Sequence, residues 1–484
     1  MENKQNKRSL LPYVHILIAF VLMLIFRFIP APSPMTQLGM QVIGIFVGMM
    51  YGWLTSDKIA ISILGLVMLG LTEYCTVPEA IGKAFSNNTA LLVFFFFMVA
   101  GILNEAGVTE VIALKMTNSR LARKNPYLLV LMLCLTACLL HVLISATAAC
   151  MVLYPLIKRI SIIYGFEPKN RFATFMCLGI SFVGAVAYSV LPFHTISAIG
   201  FGAYEAAMGE SINYVRYVIC MVLLMIIDIA AFLGYCGIFE RKTMDAMKQH
   251  KQDKSFSDVP SMTRYQKQVL IFFVVLIVVM LVPDILPTSI GIVAFIKSIG
   301  SMPLVALSLA VYAFIQFREG KKLQFFFSKS ISWEVFFLLA SALTVAGAIL
   351  SEESGIQSWV EETVLPSISG NGVYIPILII VVCAIILTNL TNHGAVAAIF
   401  APVACTLAGT LQGASINLQG LMVLVIMASS VGLCTPAAGA NATLMFGDTE
   451  WFDAKMLSSI GLKIVFTHLV ILMTLGYLLA SWIL

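Results

Sequence analysis

The sequence predicts an all-α polytopic membrane protein of two inverted-topology repeats, each with a re-entrant helical hairpin and a broken transmembrane helix, and about 11 transmembrane helices in all. Three observations predict it. Hydrophobic residues make up 60% of the chain and charged residues only 11%, whereas soluble domains carry roughly a quarter charged residues. Most Lys and Arg residues fall on one side when the long apolar runs are threaded in order, and little more than Arg27, Lys83, Arg216 and Lys297 falls on the other. Segments of the first half also recur in the second half.

The apolar runs set the domain organisation. The run at 11–29 follows a basic N-terminus without a signal-peptide cleavage site, so we interpret it as an uncleaved first span within residues 1–36. A polar stretch at 240–267, predicted to be a cytoplasmic linker, separates a first repeat at 37–239 from a second repeat at 268–484. The remaining runs lie at 37–54, 59–73, 89–113, 128–144, 148–163, 172–203 and 214–238 in the first half, and at 268–288, 289–316, 332–350, 374–390, 394–412, 419–446 and 457–484 in the second.

Basic residues predict the orientation, because cytoplasmic loops accumulate Lys and Arg. The N-terminus, the 114–126 loop, the linker and the 318–329 segment each carry several of them and fall on the same side. An acidic stretch at 352–362 falls on the other side. We therefore expect a multi-pass protein of the cell membrane with a cytoplasmic N-terminus and an extracytoplasmic C-terminus.

The internal repeat has a shift of about 247 residues. The matching segments are 93–107 with 335–355, 141–148 with 388–395, and 189–202 with 433–447; the second match also places Pro155 on Pro402. Each match alone is weak, because apolar helices resemble one another, but three in the same order indicate a real repeat.

The flanks of two hairpins indicate that the repeats are inverted. The first hairpin, 128–163, has basic ends, whereas the second, 374–412, has uncharged flanks on the opposite side. The first is either two short crossings or a re-entrant hairpin, and the charge pattern fits both. With the broken helices predicted at 172–203 and 419–446, this arrangement is typical of secondary transporters, and it disfavours a channel.

Four interruptions near the middle of the membrane form the candidate anion site: hairpin tips at 145–147 and 391–394, and helix breaks at 184–195 and 429–441. Freed amides and helix N-termini attract anions, while freed carbonyls attract cations. No Lys or Arg occurs in the four segments, so helix dipoles, hydroxyl groups and a co-bound cation would hold the anion. Helix packing is the alternative for each small residue taken singly. The candidate substrate-binding residues are Ser145, Ala146, Thr147, Thr391, Asn392, His393, Gly394, His194, Gly439 and Asn441.

Asp228 and His141 are the candidates for ion coupling. Asp228 lies in the middle of an apolar span, where a carboxylate is costly and is by default a functional hypothesis such as a proton carrier. The alternative is pairing with a neighbouring hydroxyl at a helix interface. His141 lies beside the first hairpin tip and is either a titrating group or a hydrogen-bonded core residue. His468 has no predicted role.

Several function classes find no support in the sequence. Nine of the ten cysteines lie inside apolar runs, and no CxxC spacing is present, so we expect neither a disulfide framework nor a metal site. Motifs of metalloproteases, P-loop ATPases and Rossmann enzymes are absent. We expect no enzyme activity, no cofactor and no nucleic-acid partner.

The chain resembles the divalent anion:sodium symporter family, which contains the di- and tricarboxylate carriers. The resemblance rests on Phe85-Ser86-Asn87 before the 89–113 span, on the two hairpins that end near Pro155 and Pro402, and on Phe446-Gly447 at the end of the second broken helix. It implies inverted repeats, a homodimer and an elevator-like carrier domain in the lipid bilayer. It also implies a carboxylate anion as substrate.

Two departures from the family pattern bear on the coupling ion. The family's Ser-Asn-Thr tips are Ser145-Ala146-Thr147 and Asn392-His393-Gly394 here. Ala146 has no side-chain oxygen, and His393 offers nitrogen where a hard cation prefers oxygen. We expect a carrier of a di- or tricarboxylate with no tight sodium coupling, working as a proton-coupled symporter or an anion exchanger. The alternative is a cation/proton antiporter of the same superfamily.

Overall fold

The computed structural model describes residues 11–249, 260–315, 320–364, 374–410 and 417–484. All regular secondary structure within these ranges is helical, which confirms the all-α fold class. In chain order the α-helices are α1 (Leu11–Ile25), α2 (Gln37–Thr55), α3 (Lys58–Leu69), α4 (Val77–Phe85), α5 (Asn88–Glu105), α6 (Val108–Thr117), α7 (Pro126–Leu143), α8 (Ala146–Ile163), α9 (Arg171–Tyr188), α10 (Thr195–Met208), α11 (Tyr214–Phe239), α12 (Arg241–Gln249), α13 (Arg264–Ile285), α14 (Gly291–Ile299), α15 (Ser301–Ile315), α16 (Leu323–Lys329), α17 (Trp333–Ile349), α18 (Ile356–Trp359), α19 (Tyr374–Thr388), α20 (His393–Thr410), α21 (Leu418–Ser430), α22 (Ala440–Gly447), α23 (Ala454–Ile471) and α24 (Tyr477–Ile483).

Eight helices of the described chain are long and apolar enough to cross a membrane, and two bent pairs raise the number to ten. The sequence predicts about 11. The difference arises because α1, α3, α19, α20 and α21 are apolar but shorter than the eight, and a straight crossing needs about 20 residues. Three of these short helices belong to the second hairpin and the second broken helix.

Glycine conformations explain two breaks that the apolar pattern hides. The run at 89–113 is two helices, α5 and α6, because Gly107 has a φ of +66°. The run at 289–316 is also two helices, α14 and α15, which meet at an angle of 95° beside Gly300 with a φ of +79°. Glycine adopts these left-handed conformations without steric cost, and they end a right-handed helix.

Two helical hairpins and two broken helices form the centre of the protein. The first hairpin is α7 and α8, where Ser145 caps α8 by accepting a hydrogen bond from the Ala148 amide at 3.3 Å. The second hairpin is α19 and α20, with its tip at 389–392. The broken helices are α9 with α10 and α21 with α22.

Each hairpin packs against the broken helix of its own half and also contacts the broken helix of the other half. Helix α8 of the first hairpin contacts α22, and α20 of the second hairpin contacts α10. Helices α9 and α21 are almost entirely buried. The inverted relation of the two halves stays a prediction, but this crossed packing brings both tips and both breaks into one region.

Candidate functional site

The two hairpin tips meet at Thr195, the first residue of α10. Ser145 at the first tip lines a cavity of about 30 Å³ together with His194 and Thr195. A methyl group added to Gly394 at the second tip would lie 3.9 Å from Cγ2 of Thr195. The N-terminus of α10, which is the positive end of its helix dipole, therefore lies between the tips. Thr195 was not predicted to be a substrate-binding residue. A polar residue at the start of a helix is the sequence feature that could have indicated it.

His194 leaves one polar atom at the tip cavity without a partner. It precedes α10 as the N-cap residue, but its side chain makes no capping hydrogen bond. Its ring centroid lies 4.1 Å from that of Tyr188. Its Nδ1 is buried and has no hydrogen-bond partner among the described residues. A buried polar atom without a partner is costly and calls for an explanation, and a ligand or a water in this cavity supplies one.

The remaining candidates of the first tip lie in the first turn of α8. Ser145 is exposed, while Ala146 and Thr147 are half-buried. Ser145 lines the tip cavity, whereas Thr147 is not one of the residues that line it.

Asn392 organises the second tip through its side-chain oxygen. Its Oδ1 accepts hydrogen bonds from the amides of Gly394 at 2.9 Å and Ala395 at 3.4 Å. The oxygen is thereby fixed toward the start of α20, so the two N–H donors of its amide group remain for a ligand. Thr391, which precedes it, is buried.

The hydrogen bonds of His393 fix which ring nitrogen carries a proton. The Thr388 hydroxyl donates to the Ser429 carbonyl oxygen at 2.6 Å, and Nδ1 of His393 lies 2.7 Å from the same hydroxyl oxygen. The hydroxyl has only one proton to give. Nδ1 must therefore donate to Thr388, which leaves Nε2 as the acceptor of the neutral ring.

Two glycines leave room for the His393 ring. A methyl group at Gly439 would lie 2.8 Å from Nε2, and one at Gly432 would lie 2.7 Å from Cε1. Gly439 also has a φ of +151°, a conformation that other residues rarely adopt. This explains glycine at one of the predicted site positions.

Asn441 connects the second break to the first hairpin. Its backbone oxygen accepts a hydrogen bond from the Tyr154 hydroxyl at 3.2 Å. Its own Oδ1 is buried and unpartnered within the described part of the chain. Like Nδ1 of His194, this oxygen has no partner in the described structure, and as an amide oxygen it accepts a hydrogen bond from a donor group of a ligand.

Asn389 is a residue of the second tip that sequence reasoning missed. Its Oδ1 accepts hydrogen bonds from the amides of Leu433 at 2.8 Å and Cys434 at 3.0 Å, and its Nδ2 donates to the carbonyl oxygens of Ile385 and Val431. Its backbone oxygen also accepts from the Thr435 hydroxyl. Asn389 thus ties the hairpin tip to the unwound segment of the broken helix.

The two helix breaks also touch each other directly. The hydroxyl oxygens of Ser189 and Ser430 lie 2.7 Å apart, one at each break. The Tyr217 hydroxyl donates to the Ser189 carbonyl oxygen at 2.6 Å. Unwound backbone is tolerated within a membrane only where such partners are present.

The structure places the two coupling candidates behind the tips. His141 is fully buried, packs against Gly184, and its Nδ1 donates to the Ala137 carbonyl oxygen at 2.8 Å. Asp228 is fully buried as well, and its Oδ1 lies 3.2 Å from Nδ1 of His468. The partner of Asp228 is thus a histidine and not a hydroxyl. This pairing with His468 was not predicted from the sequence, although any carboxylate within a membrane needs a partner.

A wider cavity leads to the first tip. Its volume is about 380 Å³, and Ser145, Asn104, Glu105 and Lys329 are among its lining residues. The tips and breaks contain no Lys or Arg, but Lys329 lines this cavity beside the first tip. No group of three or more His, Cys, Asp or Glu residues within the described ranges is arranged to hold a metal ion.

Comparison with known proteins identifies the family. Residues 10–484 match the model of the sodium:sulfate symporter transmembrane region. The chain belongs to this family. This confirms the resemblance to the divalent anion:sodium symporters, and it places the protein among multi-pass secondary transporters of anions and not among enzymes.

Two curated relatives match nearly the whole length of this chain. A protein of Staphylococcus saprophyticus named sodium-dependent dicarboxylate transporter SdcS is 22% identical over 93% of this chain and 87% of its own. A protein of Haemophilus influenzae named as an uncharacterized transporter is 23% identical over 98% of both chains.

Two solved structures share the fold. The YdaH transporter of Alcanivorax borkumensis superposes with a TM-score of 0.56 at 15% identity and covers 98% of both chains. MtrF of Neisseria gonorrhoeae, described as illuminating a class of antimetabolite efflux pumps, has a TM-score of 0.57 at 15% identity and covers 96% of this chain and 94% of its own. At these identities the likeness concerns the fold alone.

Proposed function

We propose that the protein moves a small dicarboxylate across the membrane by alternating access, with the anion held between the two hairpin tips. The observation that carries this proposal is that both tips meet at Thr195, the first residue of α10. Helix N-termini at interrupted membrane helices are typical binding sites for carboxylates. The dicarboxylate relative and the family support the substrate class.

Each tip offers neutral donors to one carboxylate group. The first tip presents the Ser145 hydroxyl beside the N-terminus of α10, and we propose that Thr147, in the first turn of α8, supplies a second hydroxyl. The second tip presents the Thr391 hydroxyl and the amide N–H groups of Asn392. Neutral donors in a water-poor site bind a dianion without a fixed positive charge, which permits release on the other side of the membrane.

The second tip offers few oxygens to a sodium ion. A side-chain carbonyl oxygen has two lone pairs. Oδ1 of Asn389 already accepts from two backbone amides, and so does Oδ1 of Asn392. At the first tip, Ala146 supplies no side-chain oxygen at all. We therefore propose a carrier without tight sodium coupling.

The cavity with Lys329 is the proposed entrance in this conformation. Ser145 is exposed and lines that cavity, so the first tip can be reached from it. In the predicted orientation this is the cytoplasmic side. An ammonium group in a cavity attracts an anion toward the site without forming part of it.

The test is uptake of labelled succinate into proteoliposomes that are preloaded with unlabelled succinate. We expect counterflow in sodium-free medium, and we expect Ser145→Ala and Asn392→Ala to raise the KM roughly ten-fold or more, because a hydrogen bond to a charged group contributes about 1.5–3 kcal/mol. Ser298→Ala is the matched control, because Ser298 is an exposed serine of α14 that bonds only to its own helix. Unchanged KM values in both site variants would move the substrate elsewhere.

A cation/proton antiporter is the second candidate function. The buried Asp228 and His468 are the observation in its favour. Succinate counterflow distinguishes the two functions, because a cation/proton antiporter does not exchange succinate.

A further inference from the structure

A carboxylate and an imidazole form an isolated pair in the middle of the membrane helices. Asp228 of α11 and His468 of α23 are both fully buried, with Oδ1 and Nδ1 at 3.2 Å. The other imidazole nitrogen, Nε2, lies 3.4 Å from the carbonyl oxygen of Met427 in the second broken helix. Oδ2 of Asp228 has no hydrogen-bond partner in the described part of the chain.

The partners of His468 determine how many protons the pair holds. A carbonyl oxygen only accepts, so Nε2 must carry a hydrogen to bond to Met427. A hydrogen bond between Nδ1 and Oδ1 then requires a second proton, which lies either on His468 beside an ionised Asp228 or on Asp228 beside a neutral His468. Both arrangements have a net charge of zero. Both hydrogen bonds can be made at the same time only in this protonated form of the pair.

Loss of that proton breaks a contact. The pair then has a net charge of −1, and only one hydrogen remains on the imidazole. If this hydrogen stays on Nε2, two acceptors face each other at 3.2 Å; if it moves to Nδ1, the bond to Met427 is lost. An unneutralised charge in the membrane interior is expensive, so deprotonation favours a rearrangement that brings Asp228 toward water.

Few other ionisable groups face the pair. On the first hairpin, the thiol of Cys138 lies close enough to Asp228 to interact with it electrostatically. Lys463 of α23 lies over the ring of Phe239, at the end of α11. In the described part of the chain, the remaining charged side chains on helices that pack against α11 lie toward helix ends: Arg171 on α9, Arg264, Lys267 and Asp284 on α13, Lys455 on α23, and those of α12. Within α11 itself, Arg216 is twelve residues from Asp228, about 18 Å at the rise of an α-helix.

A short chain of contacts joins the pair to the second hairpin tip. Met427 lies two residues before Ser429 on α21. The Ser429 carbonyl oxygen accepts from Thr388, whose hydroxyl oxygen in turn accepts from His393. A shift of the Met427 carbonyl therefore moves the backbone group that positions the tip. The path from the pair to the tip thus consists of hydrogen bonds joined by two residues of the α21 backbone.

We propose that Asp228 and His468 form a proton-binding site that is linked to the substrate site, so that the proton is the coupling ion of the carrier. The pair takes up one proton from the solution on one side, which changes its net charge from −1 to zero. It releases this proton to the solution on the other side of the membrane. This inference rests on the proposed function and adds the identity of the coupling ion.

The experiment uses full-length protein in sodium-free proteoliposomes, with a pH-sensitive dye inside and the membrane potential clamped by valinomycin and equal potassium. An inward proton gradient should drive accumulation of labelled succinate together with acidification of the interior. Asp228→Asn keeps the size of the side chain and donates permanently to Nδ1, as the protonated acid does. This variant should retain succinate counterflow but lose both the proton-driven accumulation and the acidification.

His468→Gln should behave in the same way, and His15→Gln is the matched control. His15 also lies on an apolar helix, with Nδ1 at 2.7 Å from the Tyr51 hydroxyl, and should leave accumulation unchanged. If His468→Gln does not fold, Asp228→Asn decides alone. Proton-driven accumulation by Asp228→Asn at the wild-type level would overturn the inference, as would a wild type that accumulates succinate only with a sodium gradient. Absence of succinate counterflow in the wild type would contradict the proposed function, and the inference with it.

Discussion

Replacing Asn389 with leucine removes the link between the second hairpin tip and the second broken helix. The amides of Leu433 and Cys434, which now bond to Oδ1 at 2.8 and 3.0 Å, lose their acceptor. A buried donor without a partner costs about 1–3 kcal/mol, so the pair amounts to about 2–6 kcal/mol. This is a large part of the roughly 5–15 kcal/mol by which proteins are stable.

The assay is the midpoint of thermal unfolding of purified protein in detergent, followed by tryptophan fluorescence, together with succinate counterflow. Asn389→Leu should unfold at a clearly lower temperature and lose counterflow. Asn125→Ala is the control, because Asn125 caps α7 with a single hydrogen bond to Tyr127 and such a cap contributes about 1 kcal/mol. Equal unfolding midpoints for the two variants would refute the assignment of Asn389 as the residue that holds the unwound segment.

Three further predictions concern the site, its entrance and the orientation. Thr388→Val should reduce succinate affinity by roughly five-fold or more, because Nδ1 of His393 and the Ser429 carbonyl oxygen lose their shared partner at about 1–3 kcal/mol. Thr388→Ser should be near wild type, and equal KM values for the two variants would contradict this role. Lys329→Gln should raise the KM a few-fold at low ionic strength and have little effect at high salt, because exposed charges act through screened fields; a salt-independent effect would indicate direct contact. Cysteines at Arg120 and Gln357 should react with an impermeant thiol reagent from opposite faces, and labelling from one face would contradict the inverted topology.

Much of the fold could be predicted because it depends on local sequence. Apolar runs and basic loops set the spans, and Ser145 is a helix-capping residue type at the position where α8 begins. The sharp bend at Gly300 could not be predicted, since the apolar run continues through it. The short α16 was missed for a similar reason, because seven residues give too little periodicity to recognise a helix.

The site was only partly predictable because its key contacts join distant parts of the chain. The tips and breaks are visible in the sequence as small and polar residues within apolar runs. The pairing of Asp228 with His468 spans 240 residues, and the bonds from Asn389 to the second break depend on tertiary packing. No local sequence pattern predicts either of these two contacts. The inverted repeats, the elevator motion and the homodimer stay predictions.

The most direct test of the central claim is the structure of the purified protein determined by electron cryomicroscopy with succinate in sodium-free buffer. The account predicts density for the anion between the two tips, bounded by Ser145, Thr147, Thr391 and Asn392 and close to the first amides of α10. Density at another place, or density at the tips only when sodium is added, would contradict it.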